Sequence, residues 1–169
     1  TDSFEYTVEC NPVAVSMSKF ELMKKFGVNR LSFGGQSTSR STRRTLGRRT
    51  SETQLYAALD MARECGFDNI NIDMIYGIPG QEIEDWSHDL QTMLKQQPTH
   101  FSAYSLILEE GTPMAKAYSE VDDEKAVQMY QLSEEIINKC GLQRYEVSNY
   151  CQPGKECRHN LNIWKGATY

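Results

Sequence analysis

The stretch NINIDMIYGIPGQ, residues 69–81, combines an apolar alternation with an acid that could bind a ligand. Apolar residues from Ile70 to Met74 occupy every second position of a predicted strand, and Asn71 and Asp73 lie on its other face. A buried carboxylate is costly unless it is hydrogen-bonded or paired. Asp73 could therefore cap the next turn or pair with an arginine. We favour a ligand-binding acid, because acids with shifted pKa values concentrate in functional clefts.

Two earlier segments end in similar polar residues. In FEYTVECN (4–11), Glu9 follows the same alternation as Asp73 and receives the same interpretation. In NRLSFGGQ (29–36), Gln36 is a weaker signal, because an amide can simply satisfy backbone groups. The GIPG turn after Asp73 could let the backbone approach a ligand closely. Taken alone, a plain strand-to-helix loop is the simpler interpretation of its glycines.

The segment RSTRRTLGRR (40–49) carries five arginines in ten residues. Basic clusters bind phosphate or nucleic acid in some proteins, and one arginine can hold a carboxylate through two hydrogen bonds. A solvated helix face is the commoner role of such a cluster. The net charge of −5 favours that role and argues against a nucleic-acid partner.

The segment CQPGKECRHN (151–160) gathers Cys151, Cys157 and His159. Two thiols and an imidazole are ligands that zinc accepts. Their spacing is unusual for zinc and no fourth ligand is evident, so a structural role is favoured. His159 is also a candidate axial ligand of haem iron, because imidazole is a common protein ligand of haem.

Strand and helix patterns alternate along the chain and would position these residues. Predicted strands cover residues 4–11, 29–36, 69–75, 100–108 and 143–150. Four helices are predicted. Two of them begin at the capping boxes of Ser18 and Ser51, and the other two cover residues 83–94 and 121–141. Such repetition indicates parallel strands that are joined by crossover helices.

The predicted strands are apolar on one face and polar on the other, and this pattern distinguishes an open doubly wound sheet from a (β/α) barrel. Strands of an open doubly wound sheet are covered on both faces and should be apolar on both. Polar residues toward the carboxyl ends of successive strands instead fit a (β/α) barrel, whose binding site gathers at those ends. Four or five strands cannot close a barrel. We therefore predict an α/β fold with a partial (β/α) barrel, and we expect its leading strands upstream of Thr1.

Composition and length fit an ordinary soluble globular protein. The 169 residues, 39% of them hydrophobic, allow one sizeable core, and the apolar runs are too short for a membrane span. Five scattered cysteines do not make a disulfide framework, which predicts a reducing, cytoplasmic setting. The chain opens without methionine or a signal-peptide pattern, and we expect it to be a fragment.

Several segments together resemble the radical S-adenosylmethionine (SAM) proteins of the oxygen-independent coproporphyrinogen III oxidase family. They are VECNP, NRLSFGGQS, LGRR, GFDNINIDMIYGIPGQ, YEVSNY and CRHNLNIW. RHNLNIW and LILEEGTP are most similar to the haem-chaperone branch of that family. The family fold is a partial (β/α) barrel. The resemblance implies that residues 1–115 form its C-terminal part, with about four barrel strands, and that residues 116–169 begin a C-terminal α+β extension.

The resemblance also implies roles for individual residues. Contacts with SAM are expected from Glu9, Gln36, Arg48, Asp73, Gly77, Gly80 and Ile107. Arg48 suits the methionine carboxylate, and Asp73 suits the ribose hydroxyls. Gly77 and Gly80 would shape the adenine pocket, and Ile107 would lie on the fourth strand.

His159 matches the histidine that is proposed for haem binding in the chaperone branch. The family's C-x3-C-x2-C motif, which binds a [4Fe–4S] cluster, is absent, and the five cysteines cannot replace it. The cluster ligands are therefore expected outside this chain, in which we assign no catalytic residue and no metal ligand. The sequence departs from the usual family residues at Cys10, Gly35, Thr38 and Ile163.

Three functions remain as hypotheses. The favoured one is a segment of a radical SAM haem chaperone that binds haem and SAM and transfers haem to recipient proteins. The second is an oxygen-independent coproporphyrinogen III oxidase, which decarboxylates propionate groups in porphyrin biosynthesis. The third is a non-enzymatic module whose basic tract binds anions. Whether the chain serves an enzyme stays open.

Overall fold

The computed structural model of the chain describes residues 4–118 and 121–167. Its strands are β1 (Thr7–Cys10), β2 (Arg30–Gln36), β3 (Ile70–Tyr76), β4 (His100–Ser105), β5 (Gln143–Arg144) and β6 (Asn149–Cys151). Its helices are α1 (Met17–Lys25), α2 (Arg40–Thr45), α3 (Glu52–Glu64), α4 (Ile83–Leu94), α5 (Pro113–Ala117), α6 (Asp123–Lys139) and α7 (Arg158–Trp164).

The strands form one sheet in the order β1-β2-β3-β4-β6-β5. β1 to β4 are parallel neighbours, as the alternating strand and helix patterns predicted. β6 returns antiparallel to β4, and β5 pairs antiparallel with β6. The α/β fold is therefore confirmed, and the sheet continues through an antiparallel extension. The division into domains at residue 115 stays a prediction.

The core lies between the parallel strands and the helices that connect them. The apolar face of β3, from Ile70 to Met74, is buried against these helices, as its alternation predicted. α4 is fixed to α6 by Trp86, whose indole nitrogen donates to the hydroxyl of Ser133 (2.9 Å) and to the carbonyl of Met129 (3.1 Å). The apolar stripes thus build the scaffold and leave the polar strand ends for a site.

Several predicted element boundaries are wrong. α1 begins after Ser16, whose hydroxyl accepts from the N–H of Lys19, so Ser18 lies inside the helix and does not cap it. β4 ends at Ser105, so the predicted strand over 100–108 is too long. The predicted strand over 143–150 is two short strands, β5 and β6, separated by a bend. By contrast, the capping box of Ser51 is confirmed at the start of α3.

Three helices were not predicted from the sequence, because each is too short to show a helical hydrophobic pattern. α2 lies within the arginine segment, α5 follows β4, and α7 carries His159. None of the helices in the described parts of the chain is both long and apolar enough to cross a membrane.

Candidate functional site

A cavity of about 590 Å³ opens at the carboxyl ends of β1, β2 and β3, and we call it the strand-end cavity. Glu9, Gln36, Arg48 and Asp73 all line it. Parallel strands bring their carboxyl ends to one edge of the sheet, and the loop after α2 adds the arginine. The structure therefore brings together four of the seven residues that were predicted to contact SAM.

Gln36 is held in an unusual conformation on the wall of this cavity. Its φ angle is +62°, where non-glycine residues are uncommon and often functional. A break in the register between β2 and β3 lies at Gly34 and Gln36. The side-chain oxygen of Gln36 is buried and accepts no hydrogen bond from the described residues. Such an acceptor is unfavourable unless a bound group supplies a donor.

Gly35 is required by this irregular strand. A Cβ atom at Gly35 would lie 2.9 Å from Cγ2 of Ile72 and 2.9 Å from Sδ of Met74. A larger residue at this position would therefore need these two side chains to move. Glycine at position 35 therefore allows β2 to pack closely against β3.

Asp73 accepts hydrogen bonds from two neighbouring strand residues. The hydroxyl of Ser32 donates to its Oδ2 atom (2.7 Å), and the amide of Asn71 donates to its Oδ1 atom (2.8 Å). These donors are uncharged, so they do not neutralise the carboxylate. The partners of Asp73 among the described residues are therefore neither an arginine nor a turn N–H.

A chain of hydrogen bonds runs from Asn71 toward α7. Because the Asn71 amide nitrogen donates to Asp73, its oxygen accepts from Nδ1–H of His100 (2.7 Å). Nε2 of His100 then accepts from the hydroxyl of Tyr145 (2.8 Å), which in turn accepts from the backbone N–H of Cys157 (3.2 Å). His100 is fully buried. Burial, helped by the charge of Arg30, lowers the pKa of His100 to about 3, so this histidine is neutral.

We predict that His100 makes stability fall on acidification. Its pKa is 6.5 in the unfolded chain and lower in the folded one, so its contribution is complete above pH 6.5 and is lost as the pH falls toward 3. The free energy of unfolding should then decrease by about 1.4 kcal/mol per pH unit in that window. Urea unfolding at several pH values measures this slope. His100→Gln should flatten it, and the exposed His88→Gln should not. Equal slopes in wild type and His100→Gln would contradict the assignment.

His159 lines a second cavity of about 560 Å³, which we call the α7 cavity. Glu9 and Asp73 also line it, so it adjoins the strand-end cavity. The first turn of α7 is held from two sides, because the carboxylate of Glu5 accepts from the N–H of Arg158 (3.1 Å) and Tyr145 accepts from Cys157. The imidazole of His159 is exposed at this anchored turn.

The other predicted SAM contacts lie apart from these two cavities. Gly77 and Gly80 line a small cavity of about 40 Å³ beside Asp122 and Lys125. Ile107 is 79% exposed in the loop that follows β4, so its predicted position on that strand is wrong. The structure does not bring these three residues together with Glu9, Gln36, Arg48 and Asp73. Their contacts with SAM stay predictions.

The cysteines do not form a cluster site. Within residues 4–118 and 121–167, no group of three histidine, cysteine or acidic side chains could hold a metal ion. Burial raises the pKa of Cys10 and of Cys151 to about 11, and it also raises the pKa of Cys157. The described residues therefore offer no clustered set of ligands that would fit a [4Fe–4S] cluster.

Asp89 on α4 was missed from the sequence, although it supports the strand-end cavity. Its buried carboxylate accepts from the hydroxyl of Ser37 (2.7 Å), the N–H of Thr38 (2.9 Å) and the hydroxyl of Thr38. Burial raises the pKa of this carboxyl. Arg43 donates to the carbonyls of Ser37 and Thr38 (2.7 and 2.6 Å), so the loop after β2 is fixed from both sides. The available signal was an acid within the buried stripe of α4.

Comparisons with known proteins agree with this architecture. The sequence model of the radical SAM superfamily matches residues 2–93. The chain is 34% identical to "Heme chaperone HemW" of Bacillus subtilis, over 100% of this chain and 46% of that protein. It is 32% identical to "Heme chaperone HemW" of Escherichia coli, over 98% of this chain and 44% of that protein. The chain therefore spans about half the length of these relatives.

Solved structures show the same fold. Coproporphyrinogen III oxidase (HemN) from Escherichia coli superposes with a TM-score of 0.81 at 23% identity, over 96% of this chain and 38% of that one. The Elp3 protein of Methanocaldococcus infernus superposes with a TM-score of 0.72 at 18% identity, over 97% of this chain and 42% of that one. The predicted partial barrel of the radical SAM type is confirmed by these likenesses.

Proposed function

The chain belongs to the radical SAM superfamily, and from this membership we propose that it is a segment of a haem chaperone that binds SAM and haem. The observation that carries the proposal is the adjacency of two cavities. One is lined by the four polar residues that suit SAM, and the other by His159, with Glu9 and Asp73 shared between them. The relatives over the whole chain are named haem chaperones.

The strand-end cavity has the groups that SAM would need. The buried oxygen of Gln36, which accepts no hydrogen bond from the described residues, would accept one from the ligand. Arg48 would pair with the methionine carboxylate through its guanidinium fork, and Asp73 would accept from the ribose hydroxyls. Glu9 would lie against the positive part of SAM. We place the ligands of a [4Fe–4S] cluster outside this chain, and we therefore assign no radical step to its residues.

The α7 cavity would take haem, with the imidazole of His159 as an axial ligand. The aromatic side chains of Phe4, Tyr6 and Tyr104 line the same cavity and are exposed, so they offer apolar surface to a flat macrocycle. Haem transfer requires a carrier site that opens to solvent, and the exposure of His159 satisfies this requirement.

We further propose haem-recipient proteins as partners, a cytoplasmic location and no nucleic-acid partner. The likeness to coproporphyrinogen III oxidase concerns the fold and does not favour decarboxylation.

Haem titration tests this function. His159→Ala should remove the absorption band of histidine-ligated haem and weaken haem binding by at least about tenfold, which corresponds to roughly 1.4 kcal/mol. His88→Ala is the matched control, because His88 is also an exposed helical histidine but lies on α4, outside the α7 cavity. If His159→Ala keeps the spectrum and the affinity of the wild type, His159 is not the haem ligand.

A further inference from the structure

A third cavity, of about 620 Å³, is surrounded by arginines, and we call it the arginine cavity. Its lining consists of Arg40, Arg43, Arg44, Arg48, Arg49, Thr50 and Ser51. Arg40 and Arg44 line this cavity and not the strand-end cavity, whereas Arg48 and Arg49 line both. The proposed binding of SAM and haem uses at most one of these guanidinium groups.

Of these five arginines, only Arg43 forms an ion pair with a residue in the described part of the chain. Arg43 lies 4.0 Å from Glu52, and it also donates to two backbone carbonyls. The structure gives Arg40, Arg44, Arg48 and Arg49 no ion pair with any residue in 4–118 or 121–167. Like charges at such spacing repel one another, although the whole chain is acidic, with a net charge of −5. Acidic residues are thus plentiful in the protein, yet within residues 4–118 and 121–167 only Glu52 forms an ion pair with one of these arginines.

The segment is also held in a defined conformation. Ser39 caps α2 by accepting from the N–H of Thr42. Arg43 anchors α2 to the preceding loop, and Asp89 binds the same loop from α4. The backbone that presents the guanidinium groups is therefore fixed by buried hydrogen bonds. Four exposed arginines therefore surround a concavity on a fixed backbone, so a bound anion could reach several guanidinium groups at once.

We propose that the arginine cavity binds a small ligand with two or more phosphate or carboxylate groups. Guanidinium groups bind both kinds of oxyanion through paired hydrogen bonds, and a multiply charged ligand can bridge several arginines. The volume of about 620 Å³ is in the range of small-molecule sites. Because the feature is concave, it fits a small molecule better than a flat macromolecular surface. The site adjoins the strand-end cavity through Arg48 and Arg49 and would be filled independently of haem.

Isothermal titration calorimetry with inorganic pyrophosphate and with citrate tests the proposal. Both are expected to bind in low salt and to bind more weakly as salt is added, because screening reduces charge attraction. The double variant Arg40→Gln/Arg44→Gln should weaken binding by at least about tenfold. The control is Lys25→Gln/Lys95→Gln, which removes the same charge from exposed positions outside the cavity. Tighter pyrophosphate would identify a phosphate ligand, and tighter citrate a carboxylate ligand.

Two results would overturn the proposal. One is the absence of saturable binding for both probes at low salt. The other is an equal loss of binding in the two double variants, which would indicate attraction by overall charge alone. SAM titration of Arg40→Gln/Arg44→Gln keeps this test separate from the proposed function. Unchanged SAM affinity with lost pyrophosphate or citrate binding would support the arginine cavity, whatever the outcome of the haem experiment.

Discussion

Replacement of Asp89 by alanine is expected to lower the free energy of unfolding by about 2 to 4 kcal/mol. The carboxylate is buried and accepts from the hydroxyl and N–H groups of Ser37 and Thr38. Alanine would leave these buried donors without an acceptor and would open a cavity beside α4. Urea unfolding of wild type and variant measures the difference. The loop after β2 should loosen as well, with faster amide exchange at Thr38.

Two further variants make the Asp89 prediction specific. Asp89→Asn keeps the shape and one acceptor oxygen, so its loss should be smaller than that of alanine. Asp60→Ala is the matched control, because Asp60 lies on the exposed face of α3 and its ion pair among the described residues is with Arg63, at 3.6 Å. Exposed pairs of this kind contribute about 0 to 1 kcal/mol. Equal stability of Asp89→Ala and Asp60→Ala would show that the buried acid is not structurally important.

Replacement of Asp73 by alanine is expected to weaken SAM binding by roughly 10- to 100-fold, which corresponds to about 1.4 to 2.7 kcal/mol. In the proposed site this carboxylate would accept from ribose hydroxyls, and charge-assisted hydrogen bonds contribute more than neutral ones. Calorimetric titration with SAM measures the change. Asp68→Ala is the control, because the side chain of Asp68 is 83% exposed and pairs with Lys155 at the surface.

The loss of Asp73 also removes the acceptor of the Ser32 hydroxyl and one of the two acceptors of the Asn71 amide, so folding must be checked by thermal unfolding. Arg48→Gln provides a second variant, because Arg48 is exposed and makes no hydrogen bond within the polar network around Asp73. It should weaken SAM binding by about tenfold with little change in stability. Wild-type SAM affinity in both variants would contradict the assignment of the strand-end cavity.

Local signals in the sequence were sufficient for part of this architecture. Ser51 and the helix that it caps were predicted because a capping box and an apolar stripe depend on residues a few positions apart. The gathering of Glu9, Gln36 and Asp73 was predictable from parallel strand ends together with the family resemblance. Ile107 was misplaced, because an apolar run after β4 has the composition of a strand while its residues lie in an exposed loop.

Contacts between distant segments could not be predicted in this way. β6 pairs with β4 across about fifty residues, and nothing in either segment specifies the antiparallel direction. The sequence around His100 did not indicate its hydrogen-bond partners Asn71 and Tyr145, which come from β3 and from the bend between β5 and β6. Asp89 was detectable as an acid in an apolar stripe, but its partners in the loop after β2 were not.

The hydrogen bond between the Glu5 carboxylate and the first turn of α7 has a consequence for folding during biosynthesis. The carboxylate that holds the first turn of α7 lies 153 positions before Arg158, so all the intervening residues must be translated before this contact can form. At about 5 to 20 residues per second, Glu5 is synthesised roughly 8 to 30 s before its partner. The parallel strands β1 to β4 can pair during that delay, whereas α7 docks after them. Nascent chains that end shortly after β4 should therefore pair their parallel strands although α7 has not been made.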